Sequence, residues 1–307
     1  MAATEVLTEA FESERRGLVA HCYRMLGSWD EAEDVVQDTY LRALRGWDGF
    51  RREATTRTWL YRIATNACLT ALDGCGRRAL PMGLGGPADD VNVDPRREGP
   101  GTWIQPFPTD PAAVVEERES LRLALIAGLQ QLPAKQRAIL LLREVLVFSA
   151  AEVAEMLDTT VPAVKSALQR ARATLDTQKL DTQKAVEPPT ERQRELLEAY
   201  VTAFAASDLE ALERVLREDA TLEMVPNRAW FSGRKNCLAS AGSAMDGAWR
   251  YALVDVNGGP GFLAWWHDEP FGVAALTMAP DGIAAVHIFA DPDLVRRWPA
   301  PTSTGAS

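Results

Sequence analysis

Apolar residues recur at helical spacing through the first quarter of the chain. This period predicts a first helix with one buried face, carried by Leu7, Phe11, Leu18, Cys22 and Leu26. A second helix is predicted from Asp30 to Trp47, with Asp30 as its N-cap, and a third from about Thr58 to Asp73. A polar loop over residues 49–57 separates the last two, so the segment reads as a small helical bundle.

The sharpest local pattern lies between residues 149 and 175. Ser149 and Glu152 have the spacing of a capping box, which begins a short helix. Residues 158–160 then predict a turn, and Thr160 can cap a longer helix that has Pro162 in its first turn. That helix is expected to bury Val164, Leu168, Ala171 and Leu175 and to expose a basic face. A short helix, a tight turn and a longer basic helix predict a helix-turn-helix, although a plain two-helix packing unit has the same pattern.

The last third of the chain changes from a helical to an alternating pattern. Two helices are expected within residues 191–217, and strand-like runs follow them. Asn257-Gly258 and Asp281-Gly282 are hairpin signals between such runs. The strand-like runs are Ala220–Val225, Trp249–Val256, Phe262–His267, Phe271–Met278 and Ile283–Phe289. Helices followed by antiparallel hairpins predict an α+β cone, a sheet curved around an interior pocket.

These patterns divide the chain into three domains and two linkers. Residues 79–110 are rich in Pro and Gly and lack a period, so they read as inter-domain chain that forms neither helix nor sheet. Residues 179–190 end in Pro188-Pro189 and read as a second linker. The expected fold class is therefore multidomain: an all-α domain over 1–78, an all-α domain over 111–178 and an α+β cone over 191–307.

Composition limits the possible functions of the 307-residue chain. The net charge is -10, but residues 191–307 alone hold 10 basic and 16 acidic groups, so the two helical segments are nearly neutral. Nucleic-acid binding would therefore rest on local basic faces. Four scattered cysteines without a C-x-x-C pair argue against zinc and against a disulfide framework. The chain has neither an 18-residue apolar run nor a secretory-type N-terminus, so we expect a cytoplasmic protein without membrane contact.

Two polar faces of the first segment are candidates for binding. The second predicted helix carries Asp34, Gln37 and Asp38 on its outer side, which is either a solvated face or a dock for a basic protein helix. The loop with Arg51 and Arg57 is either a polar connector or a grip for an unstacked base.

Taken together, these segments resemble a known family. DEAEDVVQDTYLRALRGWDGF followed by TRTWLYRIATNACLTAL is similar to the second conserved region of bacterial sigma-70-type initiation factors. LPAKQRAILLLREVLVFSAAEVAEMLDTTVPAVKSALQRARATL is similar to their fourth region, and the presence of only these two regions is the layout of extracytoplasmic-function sigma factors. The last segment resembles the SnoaL-like cone that one subgroup appends. Trp103 and Pro106 fall in the linker motif of that subgroup, and the resemblance implies a regulatory role for them. ADPDL at 290–294 resembles the C-terminal motif of the same subgroup.

The resemblance implies roles for particular residues. Those matching the face that docks on the largest polymerase subunit are Asp34, Gln37 and Asp38. Those falling where the -10 element is melted and read are Phe50, Arg51, Thr55, Thr56, Arg57 and Asn66. Those falling where the -35 element is read are Pro162, Lys165, Ser166, Gln169, Arg170 and Arg172. The implied partners are core RNA polymerase, through its largest and flap-bearing subunits, and promoter DNA, with an intramolecular contact between the cone and the sigma regions.

The role of the cone is left open by the sequence. A protein-binding module that controls the sigma regions is favoured over a ligand sensor and over an isomerase or cyclase. Catalysis would need a carboxylate or histidine inside the cone, for which the candidates are Asp255, Glu223, His267 and His287. The two histidines read more simply as strand residues than as metal ligands. We therefore expect a non-enzymatic protein with neither metal nor cofactor, and a one-component regulator that senses a ligand is the alternative.

Overall fold

The computed structural model describes residues 2–50, 54–74, 76–88, 90, 99, 101–109, 118–177, 190–245 and 248–299. The chain forms two compact units, each assembled from two stretches of sequence. Unit 1 comprises Met1–Arg78 and Ala124–Asp181, and unit 2 comprises Ala79–Leu123 and Thr182–Ser307. The segment 79–110, read from sequence as a connector, thus groups with the C-terminal domain.

Unit 1 is entirely helical in its described part. Helices α1 to α3 pack against one another, and α5 packs on α7. Fully buried Leu18, Tyr23 and Leu60 lie in the core of the first three helices, as the helical period predicts. A single π-helical turn, Leu141–Val145, follows α5. The helices are α1 (Ala2–Leu26), α2 (Trp29–Gly46), α3 (Thr56–Leu72), α4 (Leu123–Gln130), α5 (Ala134–Leu140), α6 (Ala150–Met156) and α7 (Val161–Thr177).

The helix starts follow local hydrogen-bonding chemistry. The predicted capping box is confirmed, because the Ser149 side chain accepts from Glu152 N and the Glu152 carboxylate accepts from Ser149 N. The predicted cap of α2 is wrong: Ser28 rather than Asp30 accepts from Glu31 N, so Asp30 lies within the first turn. On α7, Val164 and Ala171 are buried as expected, whereas Leu168 and Leu175 are half-exposed.

Unit 2 contains a six-stranded sheet of order β2-β1-β6-β5-β4-β3. All pairs are antiparallel except β1 and β6, which are parallel, so the expected antiparallel hairpins are found in β1–β2 and in β3 to β6, and the β1–β6 pair departs from the expectation. The strands are β1 (Leu216–Val225), β2 (Trp230–Ser232), β3 (Trp249–Val256), β4 (Gly259–Trp266), β5 (Glu269–Ala279) and β6 (Gly282–Phe289). The helices are α8 (Thr190–Ala205), α9 (Leu209–Val215), α10 (Arg234–Gly242) and α11 (Pro292–Arg297).

The turns explain where the strand predictions succeed and fail. Asn257 and Gly258, both with positive φ, form the predicted two-residue turn between β3 and β4. His267 and Asp268 also adopt positive φ and form the turn between β4 and β5, so the strand assignment of His267 is wrong. Neither residue is Gly or Asn, the usual signals of such a turn, and this is why the sequence did not reveal it.

Side chains from the helices and one face of the sheet form the core of unit 2. Tyr200 of α8 stacks on Phe262 of β4 with ring centroids 6.1 Å apart, and Leu276 and Val286 complete the layer. In the described residues, packed apolar side chains occupy the middle of this face. No helix in the described ranges has the length and apolarity needed to cross a membrane.

Candidate functional site

The outer face of α2 presents the candidate docking residues. Asp34 and Gln37 are exposed, and Asp38 forms an ion pair with Arg42, one turn later, at 2.7 Å. Their acidic neighbours are engaged differently: Glu31 pairs with Arg78 and Glu33 with Arg15. The structure thus leaves Asp34 and Gln37 as the accessible centre of this face, and two nearby carboxylates serve the fold.

The described candidate -10 residues lie just before α3, in its first turn and further along the helix. Thr55 is the N-cap of the helix, with its hydroxyl accepting from Thr58 N at 3.1 Å, while Thr56 is half-buried in the first turn. Phe50 stacks against Trp59 with ring centroids 4.6 Å apart and against Trp47 at 5.6 Å. The sequence gave no signal that Trp59 would take part in this surface, so the aromatic cluster beside the loop was not predicted. Arg51 lies outside the described residues.

Arg57 and Asn66 face the helix-turn-helix of the same unit. The Arg57 guanidinium donates to Leu146 O at 3.3 Å and lies 4.6 Å from the centre of the Phe148 ring. About two and a half turns further along α3, Asn66 Nδ2 donates to Met156 O at 3.4 Å. The sequence placed these two residues on a nucleic-acid-reading face but gave no signal for these partners.

The basic face of α7 is exposed to solvent. Arg170 donates to the Ser166 hydroxyl at 2.6 Å, and Arg172 pairs with Glu144 at 2.6 Å. An exposed ion pair or hydrogen bond of this kind contributes little to stability, so both guanidinium groups can exchange these partners for phosphate or base atoms. The remaining candidates on the helix, which are also exposed, are Pro162, Lys165 and Gln169.

A buried arginine joins the two helical stretches of unit 1. Arg137 of α5 is 4% exposed and donates to Met25 O at the end of α1, to the Gln130 side chain and to Leu132 O. Burial lowers its pKa to about 10, which still leaves it charged at neutral pH. These three acceptors and the backbone carbonyl of Gln130, to which Arg137 also donates, offset the cost of burying this charge. Nothing local in the sequence distinguishes Arg137 from a surface arginine.

The two candidate linker residues are buried in the structure. Trp103 and Pro106 lie in a stretch that is hydrogen-bonded to other parts of unit 2. Ala79 and Trp103 form a β-bridge, so this segment does contain sheet-like pairing, contrary to the sequence expectation. The backbone of Phe107 makes two hydrogen bonds with Asn257. Phe107 N donates to the Asn257 side-chain Oδ1 at 2.9 Å, and Phe107 O accepts from Asn257 N at 2.8 Å.

The candidate catalytic groups of unit 2 mostly contact this same segment. Glu223 is 1% exposed and accepts from Met82 N at 3.2 Å, with His287 Nδ1 3.5 Å from its other oxygen. Asp255 forms an ion pair with Arg118 at 3.0 Å, and burial raises its pKa. Both carboxylates therefore anchor the 79–123 segment. Among the described residues no group of three or more His, Cys, Asp or Glu has metal-site geometry.

Comparisons with known proteins match this division of the chain. The family profile described as Sigma-70 region 2 matches residues 10–78, and that described as Sigma-70, region 4 matches residues 122–175. The ECF RNA polymerase sigma factor SigG of Mycobacterium tuberculosis (strain CDC 1551 / Oshkosh) is 39% identical, with 95% of this chain and 83% of that protein covered. SigW of Bacillus subtilis (strain 168) is 32% identical over 52% of this chain and 81% of its own length.

One solved structure resembles nearly the whole chain. The crystal structure of the extracytoplasmic-function sigma factor SigJ of Mycobacterium tuberculosis superposes with a TM-score of 0.63 at 23% sequence identity. The match covers 95% of this chain and 99% of that one. The likeness is one of fold, and it extends over the sheet-containing unit as well as the helices.

Proposed function

Because the chain belongs to the extracytoplasmic-function RNA polymerase sigma factors, which direct RNA polymerase to promoters, we propose that the faces described above divide this task among them. The α2 face docks on the largest polymerase subunit, the start of α3 reads the melted -10 strand, and α7 reads the -35 duplex. The observation that carries the proposal is the exposed basic face of α7 directly after a capped turn, because a basic helix that follows such a turn is the element that helix-turn-helix proteins insert into a major groove.

Reading of the -35 element is assigned to α7. Its side chains provide both kinds of contact that duplex recognition needs. Lys165 and Arg172 neutralise phosphates, whereas Gln169 and Arg170 are long enough and have the donors to bind base edges. The hydroxyl of Ser166 holds the Arg170 guanidinium at 2.6 Å, which limits its side-chain freedom before DNA arrives.

Reading of the -10 element is assigned to the loop before α3 and to the helix itself. Extruding a base from the stack costs a few kcal/mol, so a capturing site needs aromatic surface and hydrogen-bond donors. The Phe50–Trp59 stack supplies the first, and the side chains of Arg57 and Asn66 supply the second. Thr55, Thr56 and Arg51 complete the assignment as the hydroxyl and cationic groups of the same loop.

Docking on core polymerase is tested by the double variant Asp34→Arg with Gln37→Ala. We expect it to lose association with core polymerase while keeping its helical content, because both side chains are exposed and hold no part of the fold. The matched control is Glu12→Arg with Ser13→Ala, an equal charge reversal at two exposed positions of α1, and it should bind normally. Normal binding by the first variant would contradict the docking face.

Modulation by the C-terminal domain is proposed to act through the 79–123 segment. This segment joins the two helical stretches of unit 1, and it is hydrogen-bonded to the rest of unit 2 at two places. At one, Trp230 Nε1 donates to Gly85 O at 2.9 Å; at the other, Asn257 Nδ2 donates to Leu121 O at 2.8 Å. A free chain of this length reaches roughly 150 Å when extended. Docking on the sheet shortens that reach and so restricts the separation of the -10-reading and -35-reading helices.

The alternative functions have less support from the described residues. A ligand sensor or an isomerase would need a polar group facing an open cavity in the cone. The packed layer of Tyr200, Phe262 and Leu276 occupies that place, and Glu223 and Asp255 are paired with the connecting segment. We therefore propose a regulatory, non-enzymatic role for unit 2.

A further inference from the structure

Strand β3 ends the described sheet on one side, and its residues alternate between two hydrogen-bonding directions. Asn257 and Gly258 make a two-residue turn, so Val256 and Gly259 on either side of it are a hydrogen-bonded pair of β3 and β4. The register continues back to Trp249 without a shift. The even-numbered residues of β3 therefore bond to β4, and its odd-numbered residues direct their N–H and C=O groups away from the sheet.

The chain itself pairs with one end of this edge. Residues 107–109 run antiparallel to the end of β3, and Thr109 N donates to Asp255 O at 3.2 Å. In the same register the next residue to face the edge would be Pro111, opposite Leu253, and proline has no N–H to donate. Within the described residues this pairing therefore reaches Asp255 and leaves the outward groups at the start of β3 open to another strand.

The open part of the edge lacks the features that normally keep an edge strand from pairing. Residues 249–253 contain neither Lys nor Pro, and β3 has no bulge against β4. The one charged group, the Arg250 guanidinium, lies 4.1 Å from the centre of the Trp265 ring on β4, and its Nε is 3.6 Å from Asp268 Oδ1. It therefore leans back over the sheet rather than beyond the edge. Leu253 is 36% exposed, so the edge also presents an apolar side chain.

A second copy of the same strand fits this open edge by symmetry. Two antiparallel β3 strands related by a two-fold axis at Tyr251 would place Trp249 opposite Leu253 of the partner subunit. The outward N–H and C=O groups of both strands then pair, and the half-buried Trp249 ring meets an apolar side chain across the strands. Because β3 begins at Trp249, the partner strand does not extend to Asp255, where Thr109 is bound. Both strands can therefore share the edge.

We propose that the open edge of β3, residues 249–253, is a dimerisation surface at which two copies of this chain join their sheets into one. The occupant is a second copy rather than an unrelated peptide, because the length of the open stretch, its outward groups and its apolar pair all complement the strand itself. The contact is small, so the dimer is expected to be weak, with half-dimerisation at about 10–100 µM chain. The proposal does not depend on the functions assigned to α2, α3 and α7.

Sedimentation velocity of the full-length chain over about 1–300 µM measures the association. We expect the wild type to change from monomer to dimer within this range. Leu253→Pro removes an N–H that points away from β4, so it keeps the sheet but should lower the association constant about tenfold or more. The matched variant Leu253→Thr keeps this N–H and favours a strand, so it should lose no more than about threefold. Circular dichroism checks that both variants are folded.

A second measurement locates the contact without a proline substitution. Nitroxide labels are placed at Arg250→Cys or at Thr277→Cys, both exposed positions, in a Cys75→Ser background. A label at position 250 lies close to its counterpart across the proposed axis, so its electron paramagnetic resonance spectrum should broaden as the chain concentration rises. Position 277 is on β5, two strands further from the edge, and its spectrum should not broaden. The buried cysteines, which stay unlabelled, are Cys22, Cys68 and Cys237.

The outcomes decide between this edge and any other contact. Dimers that weaken in Leu253→Pro and broaden the spectrum only at position 250 support the proposal. A chain that stays monomeric over the whole range, or dimers that broaden the label at position 277 instead, would overturn it. Equal association of the folded Pro and Thr variants would also overturn it, because the outward backbone groups would then play no part. If Leu253→Pro loses its sheet, the two labels alone decide.

Discussion

A single buried histidine makes the stability of unit 1 dependent on pH. His21 is fully buried, and its Nε2 lies 2.9 Å from the Thr65 hydroxyl. That hydroxyl donates to Tyr61 O at 2.7 Å, so Nε2 must be the donor and Nδ1 carries no proton. Burial, with a smaller contribution from the Arg24 charge, lowers the pKa of His21 to about 3. The ring is therefore neutral in the folded chain at any pH near neutrality.

The lowered pKa of His21 leads to a prediction on stability in acid. Between pH 6.5 and 3 the unfolded chain binds a proton at His21 that the folded chain does not, so stability falls as the pH drops through this range. At pH 4.5 the loss is expected to be about 3 kcal/mol relative to neutral pH. Urea unfolding of the wild type and of His21→Gln, which has no titrating group, isolates this share. Parallel pH profiles for the two proteins would contradict the prediction.

A second residue-scale prediction concerns the -35 helix. Arg170→Ala should weaken binding to a -35 duplex by about 1–3 kcal/mol if Arg170 binds a base edge, and this loss should appear on the cognate sequence only. Gel-shift titrations on cognate and scrambled duplexes provide the measurement. Arg192→Ala, at an exposed position on α8, is the control and should leave both affinities unchanged. An equal loss on both duplexes would reassign Arg170 to a phosphate contact.

At the scale of elements, the β3–β4 turn joins two strands and also acts as a clamp, because it holds the 79–123 segment in place through hydrogen bonds and close contact. Gly258 has a φ of +74°, and a Cβ built there would lie 2.1 Å from Arg118 O in the connecting segment. Its amide donates to the Thr109 hydroxyl at 2.8 Å, next to the two bonds between Asn257 and Phe107. The absence of a side chain at Gly258 therefore lets the connecting segment lie against the turn.

Substitution of this glycine tests the clamp. Gly258→Ala should release the segment and increase amide hydrogen exchange at Phe107 and Thr109, which donate to unit 2 in the structure. Gly233→Ala is the matched control, because Gly233 has a φ of +83° but its nearest neighbour to a Cβ is 3.8 Å away. It shares the backbone strain without the collision, so exchange at these two amides should not change. Equal exchange in both variants would show that strain alone is responsible.

Local chemistry determined which elements were predictable. The Ser149–Glu152 box and the Asn257–Gly258 turn are fixed by residues within four positions of each other, and both were correctly predicted. Contacts between distant residues had no such signal. Arg137 buried against Met25 O, and Arg57 seated on Phe148, join positions about 90 or more residues apart. The sequence made Glu223 a candidate pocket residue. The alternating pattern of a strand predicts which face of the sheet a side chain lies on, but not which segment of the chain covers that face.

At the scale of the whole molecule, the order of segments along the chain explains how one domain can control two others. The 79–123 segment, which is hydrogen-bonded to the rest of unit 2, lies between the two helical stretches that form unit 1. A chain stopped after Lys184 keeps both sigma regions but leaves the 79–123 segment without the sheet on which it docks. We expect such a chain to bind core polymerase and to use a wider range of start sites, since the separation of its reading helices is no longer restricted. Identical start sites for the two chains, measured by sequencing of transcript ends, would contradict the proposed modulation.

The central claim is that this chain confers promoter selectivity on core polymerase. It is tested most directly by transcription in vitro with purified core polymerase, the purified chain and a library of upstream regions. We expect RNA from a small subset of templates that share two sequence elements at a fixed spacing, and no selection when the Asp34→Arg and Gln37→Ala variant replaces the chain. A failure to transcribe any template selectively, with the full chain and with the chain stopped after Lys184, would contradict the account.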